Sequence, residues 1–485
     1  MPRLLPALLD TPDRPALRFG DRALTHGGLA AVAAPLAARI GGASRVAVWA
    51  TPTPETVVGV VAALLAGVAA VPLNPRSGES ELAHIVRDSA PEAVLAAADA
   101  ELPPALARLP RVDVDADAAV PAAVPSLPPE PDPATPAFVV YTSGTTGPPK
   151  GAVLPRRAVS ATLDALQDAW RWTAADTLVH GLPLFHVHGL ILGVVGPLRR
   201  GGAVRHLGRF STEGVTRELA SGATMLFGVP TMYHRIAEAL PDDPALAQAL
   251  AGARLLVSGS AALPVHDHER IASATGQRIV ERYGMTETLM NTSVRVDGAA
   301  RPGTVGVPLP GVELRLTEDD GVTEVPPGDP EAVGEIQVRG ANLFLHYLNR
   351  PDATEAAFAP GGWFRTGDMA VRDADGQVRI IGRRATDLIK SGGYKIGAGE
   401  IENALLEHPG VREAAVTGAP DDDLGERVVA WIVPADAARR PTPRELADHV
   451  AARLSPHKRP RTVHYLESLP RNDMGKILKR ALGDV

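Results

Sequence analysis

Ala137-Phe138-Val139-Val140-Tyr141-Thr142-Ser143-Gly144-Thr145-Thr146-Gly147-Pro148-Pro149-Lys150-Gly151 is a short apolar run that opens into hydroxyls and glycines and closes on a lysine. An apolar run of this length bounded by turn residues predicts a buried strand ending near Tyr141. The loop that follows offers backbone N–H groups, hydroxyls and one cation. Its glycines let the backbone approach a ligand closely, so it reads as a cradle for polyphosphate oxygens. The G-x-x-x-x-G-K-[S/T] spacing is absent, which excludes a Walker-type P-loop on this segment. Taken alone, a solvated turn of small polar residues competes with the cradle.

Working outward, similar apolar runs recur at Arg45 to Ala50 and Arg254 to Ser258, with helical periodicity from Ala158 to Trp170 between them. This alternation predicts an α/β architecture with mainly parallel sheets. Seven prolines between Pro121 and Pro136 predict an irregular connector leading into the cradle strand. The uncharged stretch from Thr56 to Leu73 raises the question of a membrane span, but its Ala, Val and Gly content and its Val-Pro-Leu ending predict a buried helix followed by a strand. From Gly382 onward the elements shorten, and Thr442 with Glu445 forms a capping box ahead of the apolar stripe Leu446, Val450 and Leu454. A domain boundary is therefore expected near residue 383, dividing 1–382 from 383–485. Asp373-Ala374-Asp375-Gly376 lacks the remaining ligands of a calcium loop and predicts a hairpin turn.

With 485 residues, 45% hydrophobic and 22% charged, the chain is a globular protein long enough for more than one domain. It has no cysteine, which excludes disulfides, thiolate catalysis and Cys-ligated metals and fits a reducing compartment. MPRLLPALLDTPDR is too short and too broken for a signal peptide, so a cytoplasmic location is expected. A net charge of −7 argues against nucleic-acid binding over the whole surface. The tail from Arg453 to Arg480 holds eight Lys/Arg against two acids, but no aromatic platform interleaves them, so docking on small-molecule phosphates explains it better than nucleic acid.

Four further strings stand in order: Tyr283-Gly284-Met285-Thr286-Glu287-Thr288, Trp363 with Thr366-Gly367-Asp368, Gly382-Arg383 through Glu400-Ile401-Glu402, and Pro470-Arg471-Asn472-Asp473-Met474-Gly475-Lys476. Together with the cradle they resemble the signatures of the acyl-adenylate-forming (ANL) superfamily, over essentially the whole chain. The resemblance implies a large N-terminal domain of two α/β subdomains and a β-barrel-like subdomain, then a small mobile α+β C-terminal domain. It implies ATP binding by Thr142, Ser143, Gly144, Thr145, Thr146, Gly147, Lys150, Ser260, Ala261, Glu281, Tyr283, Gly284, Thr286, Asp368, Arg383 and Lys476. Glu287, a hard carboxylate, suits Mg2+ on the ATP phosphates, and Asp368 suits the two ribose hydroxyls. Catalytic roles fall to Lys476, Lys390, Thr286 and Glu287, with Lys476 placing a cation where charge gathers during adenylation. Coenzyme A, the second co-substrate, would pass Lys390, Ser391, Gly392 and Gly393. The spacing from Arg383 to Asp387 is one residue longer than in many relatives, which leaves the hinge within 384–387.

The acyl pocket is expected to involve Phe185-His186-Val187-His188-Gly189, Ser258-Gly259-Ser260-Ala261 and the residue before Tyr283, with Arg282, His186, Ser260 and Met285 contacting substrate. Members that take apolar acids generally have a small or neutral residue where this chain has Arg282. A buried arginine without an anion is costly, so its partner is either a second substrate carboxylate or a protein acid such as Glu281. The strings around Arg282 and Lys390 resemble malonyl-CoA and methylmalonyl-CoA synthetases, implying a small dicarboxylic acid as substrate. A short- or medium-chain monocarboxylate–CoA ligase, an adenylation protein serving a carrier protein, and an inactive nucleotide sensor are the other readings. No membrane or nucleic-acid partner is expected.

Overall fold

The computed structural model describes residues 3–118, 126–142, 148–298, 301–329, 332–384, 387–392, 394–471 and 477–482. Two large sheets dominate the first three hundred residues. One has six strands, in the order Arg111–Val114, Val94–Ala97, Arg45–Trp49, Ala69–Leu73, Pro136–Thr142 and Lys150–Pro155, parallel except for the last pair. The helix Pro54–Ala66 begins on a proline at its first turn and stops at left-handed Gly67, whose N–H caps the Ala63 and Leu64 carbonyls. It is buried almost throughout and feeds strand Ala69–Leu73, as the Thr56 to Leu73 stretch predicts. Among the described residues no helix is long and apolar enough to cross a membrane.

The second sheet has nine strands. Its centre, Ile279–Tyr283, Leu255–Ser258, Met225–Gly228, Thr177–His180, Ala203–His206 and Pro15–Phe19, is parallel throughout. Helix Arg156–Trp170 buries Val159, Leu163, Leu166 and Trp170, and a single apolar cluster runs through both sheets. The cradle loop and the loops after Thr177–His180, Leu255–Ser258 and Ile279–Tyr283 all leave the carboxyl ends of their strands. In open α/β sheets that is the edge where ligands bind.

A third, antiparallel sheet, Val312–Thr317, Gly334–Gly340, Trp363–Arg372, Phe358–Ala359 and Val378–Arg383, follows. Asp373 to Gly376 forms the hairpin turn between two of its strands, with Gly376 N–H donating to the Asp373 carbonyl. The fourth sheet is built only from residues after 387: Tyr394–Gly397, Leu388–Ser391, Gly425–Pro434, Val411–Asp421 and, parallel to its neighbour, Thr462–Tyr465. Helix Pro443–Ala451 packs on it through fully buried Leu446 and Val450, with both hydrogen bonds of the Thr442–Glu445 capping box formed.

Candidate functional site

The string Thr366-Gly367-Asp368 lies inside the ten-residue strand Trp363–Arg372, not in a connecting turn. Gly367 takes a left-handed φ of 72°, and the register against strand Gly334–Gly340 slips around it, since Glu335 pairs with Met369 but Gln337 with Arg365. Such a bulge re-aims a side chain, here Asp368. Its carboxylate accepts the Tyr283 hydroxyl at 2.6 Å and meets Arg383 Nε at 2.9 Å. Burial, then the Asp368 charge, pushes the Tyr283 phenol far above its ordinary range, and the Asp368 charge raises the Arg383 guanidinium. The acid, the aromatic and the cation from three separate strings therefore form one cluster.

Glu287 sits beside it, 5% exposed, in the turn that follows strand Ile279–Tyr283. That turn is pinned from the third-sheet side: Phe344 N–H donates to the Glu287 carbonyl and the Asn342 amide to the Thr288 carbonyl. Gly284 is required there, because a Cβ would collide with the Leu289 carbonyl. Tyr347 donates its hydroxyl to Glu287 Oε1 at 2.6 Å, and Lys150 Nζ stands 4.4 Å from the centroid of the Tyr347 ring. Tyr347 was not legible as a site residue: nothing in its local pattern marks it, and it is brought here because its segment pairs along strand Lys150–Pro155, with Tyr347 bridged to Ala152. Thr142 pairs across from Lys150 at the mouth of the cradle, while Ser143 to Gly147 lie outside the described residues. Glu287 fits Mg2+, since that ion is usually held by one or two carboxylates plus substrate phosphates, and among the described residues no larger cluster of metal-binding side chains competes with it.

On the opposite face of strand Ile279–Tyr283 lies Arg282, 5% exposed. Its Nε and one terminal nitrogen have no hydrogen-bond partner among the described residues, and burial alone lowers its pKa to about 10. Successive side chains of a strand point to opposite faces, so the adjacent Glu281 is directed away. Glu281 instead accepts the Leu263 N–H at 3.3 Å, and burial raises its pKa to about 7. The guanidinium lies against Gly259, where any Cβ would overlap it. His188 stands on the same side; its Nδ1 is 3.4 Å from Ser260 Oγ and its Nε2 has no hydrogen-bond partner among the described residues. Burial, then the Arg282 charge, holds His188 well below the usual histidine range and so neutral. Ser260, in a left-handed conformation with φ 74°, and Ala261 are exposed at the strand end. Met285 and Thr286 are half-buried. His188 is not among the residues expected from the sequence to contact substrate; His186, which is, has its ring 4.5 Å from that of Phe185 and tilted against it by 51°. The π-helical turn His188–Val195 that sets His188 in place has no simple sequence signature.

Lys390, Ser391 and Gly392 belong to the fourth sheet. Lys390 is exposed, its N–H donates to Glu426 at 2.6 Å, and Gly392, with φ 58°, donates to the Leu424 carbonyl. The structure does not join them to the Asp368 cluster by hydrogen bonds among the described residues; Gly393 and Lys476 lie outside those residues, as do 385 and 386 within the expected hinge.

The cluster of Asp368, Tyr283, Arg383, Glu287, Tyr347 and Lys150 brings acid, cation and hydroxyl groups together, and comparison with known proteins gives the class. The chain belongs to the AMP-binding enzyme family: the family model matches residues 7–348 and the model of its C-terminal domain matches 400–476. Among its relatives a malonate–CoA ligase of Arabidopsis thaliana is 38% identical over 483 residues, covering 90% of this chain and 77% of the relative. A solved malonyl-CoA ligase, in a ternary product complex with methylmalonyl-CoA and AMP, is 72% identical with a TM-score of 0.75, covering 96% of this chain and all of that one. An ATP-bound MatB from Rhodopseudomonas palustris is 32% identical with a TM-score of 0.89, covering 99% and 98%.

Proposed function

We propose that this chain is an AMP-forming malonate–CoA ligase acting on malonate or methylmalonate. A malonate carboxylate oxygen attacks the α-phosphorus of ATP, the bond to the pyrophosphate leaving group breaks, and acyl-AMP forms. The CoA sulfur then attacks the acyl carbonyl and AMP departs. ATP and CoA are the co-substrates. Asp368 would hold the ribose hydroxyls, exchanging its Tyr283 and Arg383 contacts for them in part. Glu287 would hold Mg2+, which supplies charge neutralisation on the phosphate oxygens. Thr142 to Gly147, Lys150 and Thr286 would bind phosphate, and Ser260, Ala261, Glu281, Tyr283 and Gly284 would frame the nucleotide. Lys476 serves the first half-reaction, and Lys390 to Gly393 the second.

The observation that carries the dicarboxylate is Arg282. A guanidinium nine-tenths buried with two nitrogens unmatched among the described residues is expensive unless an anion joins it, and planar carboxylate is the partner its fork fits. Neutral His188, whose Nε2 has no partner among the described residues and whose Nδ1 faces Ser260, adds a hydrogen-bonding group on the same wall. The names of the relatives support the same substrate class. Residues 1–382 and 383–485 are read as two bodies. The better superposition on the ATP-bound structure than on the far more similar product complex supports this, because divergence of sequence alone would reverse that order. A cytoplasmic location fits the cysteine-free composition.

The test is Arg282→Met. Removing one partner of a buried charge pair costs about 2 to 5 kcal/mol, so kcat/KM for malonate should fall roughly 30- to 5,000-fold. Butyrate should lose little activity or gain some, because a monocarboxylate leaves no unpaired charge in the variant. Equal loss for both acids would make Arg282 structural and return the monocarboxylate reading.

A further inference from the structure

The chain carries 43 arginines and only six lysines, five of them after residue 389. Three of the six, Lys150, Lys390 and Lys476, have roles in the proposed chemistry. Lys479 does not, and it is among the most enclosed charges of the fourth-sheet region, its side chain 14% exposed. Its ammonium lies 2.9 Å from Asp387 Oδ1 and 2.7 Å from Glu402 Oε1. The two acids differ in what they hold. Glu402 accepts the Val416 N–H and so ties Lys479 to the local sheet. Asp387 is bound twice to Arg383: its Oδ2 accepts the Arg383 N–H at 3.0 Å, and its own N–H donates to the Arg383 carbonyl at 2.8 Å. Arg383 in turn meets Asp368 at 2.9 Å. A continuous polar path therefore runs from Lys479 through Asp387 and Arg383 to the acid expected to hold ribose.

Lys479 also stands three residues after Lys476, on the far stem of the segment that carries it. That stem is fixed: Arg471 and Ile477 form an antiparallel bridge, Leu478 N–H donates to the Pro470 carbonyl, and Leu482 is wholly buried beside Leu469 and Trp431. A compact ammonium suits a site between two carboxylates better than the planar guanidinium that this chain uses almost everywhere else.

We propose that Lys479 is a positioning residue for adenylation: through Asp387 and Arg383 it sets the stem bearing Lys476 relative to the nucleotide site. This rests on the reading of Lys476 as the first-step lysine. The Arg383–Asp387 bonds span the expected hinge within 384–387, so the path is complete in one arrangement of the two bodies and is needed only for the first half-reaction.

The experiment measures both half-reactions in single turnovers: pyrophosphate release from ATP and malonate, and thioester formation from supplied malonyl-AMP and CoA. Lys479→Met should lower the first by about 10- to 100-fold in kcat, with KM for ATP and malonate within about threefold and the second within about threefold. Asp387→Asn should shift the ratio of the half-reactions in the same direction, whereas Glu402→Gln, which leaves the Asp387 path intact, should lower the melting temperature without shifting it. Equal loss in both half-reactions, an unchanged first step, or a Glu402→Gln ratio shift as large as that of Asp387→Asn would overturn the proposal. Should Lys479→Met fail to fold, the contrast between Asp387→Asn and Glu402→Gln decides alone. Wild-type protein that releases no pyrophosphate with malonate would instead refute the ligase reading.

Discussion

Glu281 and Arg282 are neighbours in one strand, both buried, and their environments move them in ways that can be measured separately. The Glu281 carboxyl, at 4.5 in the unfolded chain and about 7 when folded, keeps a proton in the native state that the unfolded state has released. Stability therefore falls as pH rises through that window, and the penalty is complete above it. Glu281→Gln removes the penalty, so its stability relative to wild type should improve by about 3 kcal/mol between pH 4.5 and pH 8.5. Denaturant unfolding at the two pH values checks this, and a pH-independent difference would show that Glu281 ionises normally. How legible such residues were in the sequence depended on whether their neighbours are local. Arg282 is readable because it precedes Tyr283, and Asp368 because Thr366-Gly367-Asp368 is a contiguous string. Tyr347, His188 and Lys479 were missed because each acquires its meaning from partners far along the chain: Glu287, Ser260 and Asp387.

At the level of elements, local chemistry was the reliable guide. The capping box at Thr442, the buried helix and strand after Thr56, and the hairpin at Asp373 all depend on interactions within a few residues, and all are present. What eluded sequence reasoning was the bulge against strand Gly334–Gly340 that places Asp368 within a strand, and the π-helical turn after Val187, both departures from regular periods. Gly392 offers a direct test at this scale. A Cβ there would only touch Leu424 at 3.5 Å, so space is not the obstacle, and the positive φ costs a leucine about 1 kcal/mol. Gly392→Leu should therefore fold, yet slow thioester formation by about tenfold or more while pyrophosphate release stays within about threefold, because the side chain would obstruct the CoA arm. Equal slowing of both steps would indicate general damage.

At the scale of the whole molecule, the pairing of Pro15–Phe19 with Ala203–His206 shows why sheet order could not be read from the sequence: strands close in space are far apart in the chain and leave no local trace. The proposed division of labour between residues 1–382 and 383–485 is testable nonetheless. Lys476→Ala should lose acyl-AMP formation yet still convert supplied malonyl-AMP and CoA to thioester, because its charge is needed only where negative charge gathers at the α-phosphate. Wild-type adenylation in that variant would displace Lys476 from its role. The central claim, that this enzyme joins a small dicarboxylate to CoA at the expense of ATP, is tested most directly by following every product of one reaction. Purified protein is mixed with ATP, Mg2+, CoA and either malonate, methylmalonate or butyrate, and thioester, AMP and pyrophosphate are measured together. The account predicts equal amounts of all three with malonate or methylmalonate and far less with butyrate. AMP and pyrophosphate without CoA dependence, or butyrate consumed as fast as malonate, would contradict it.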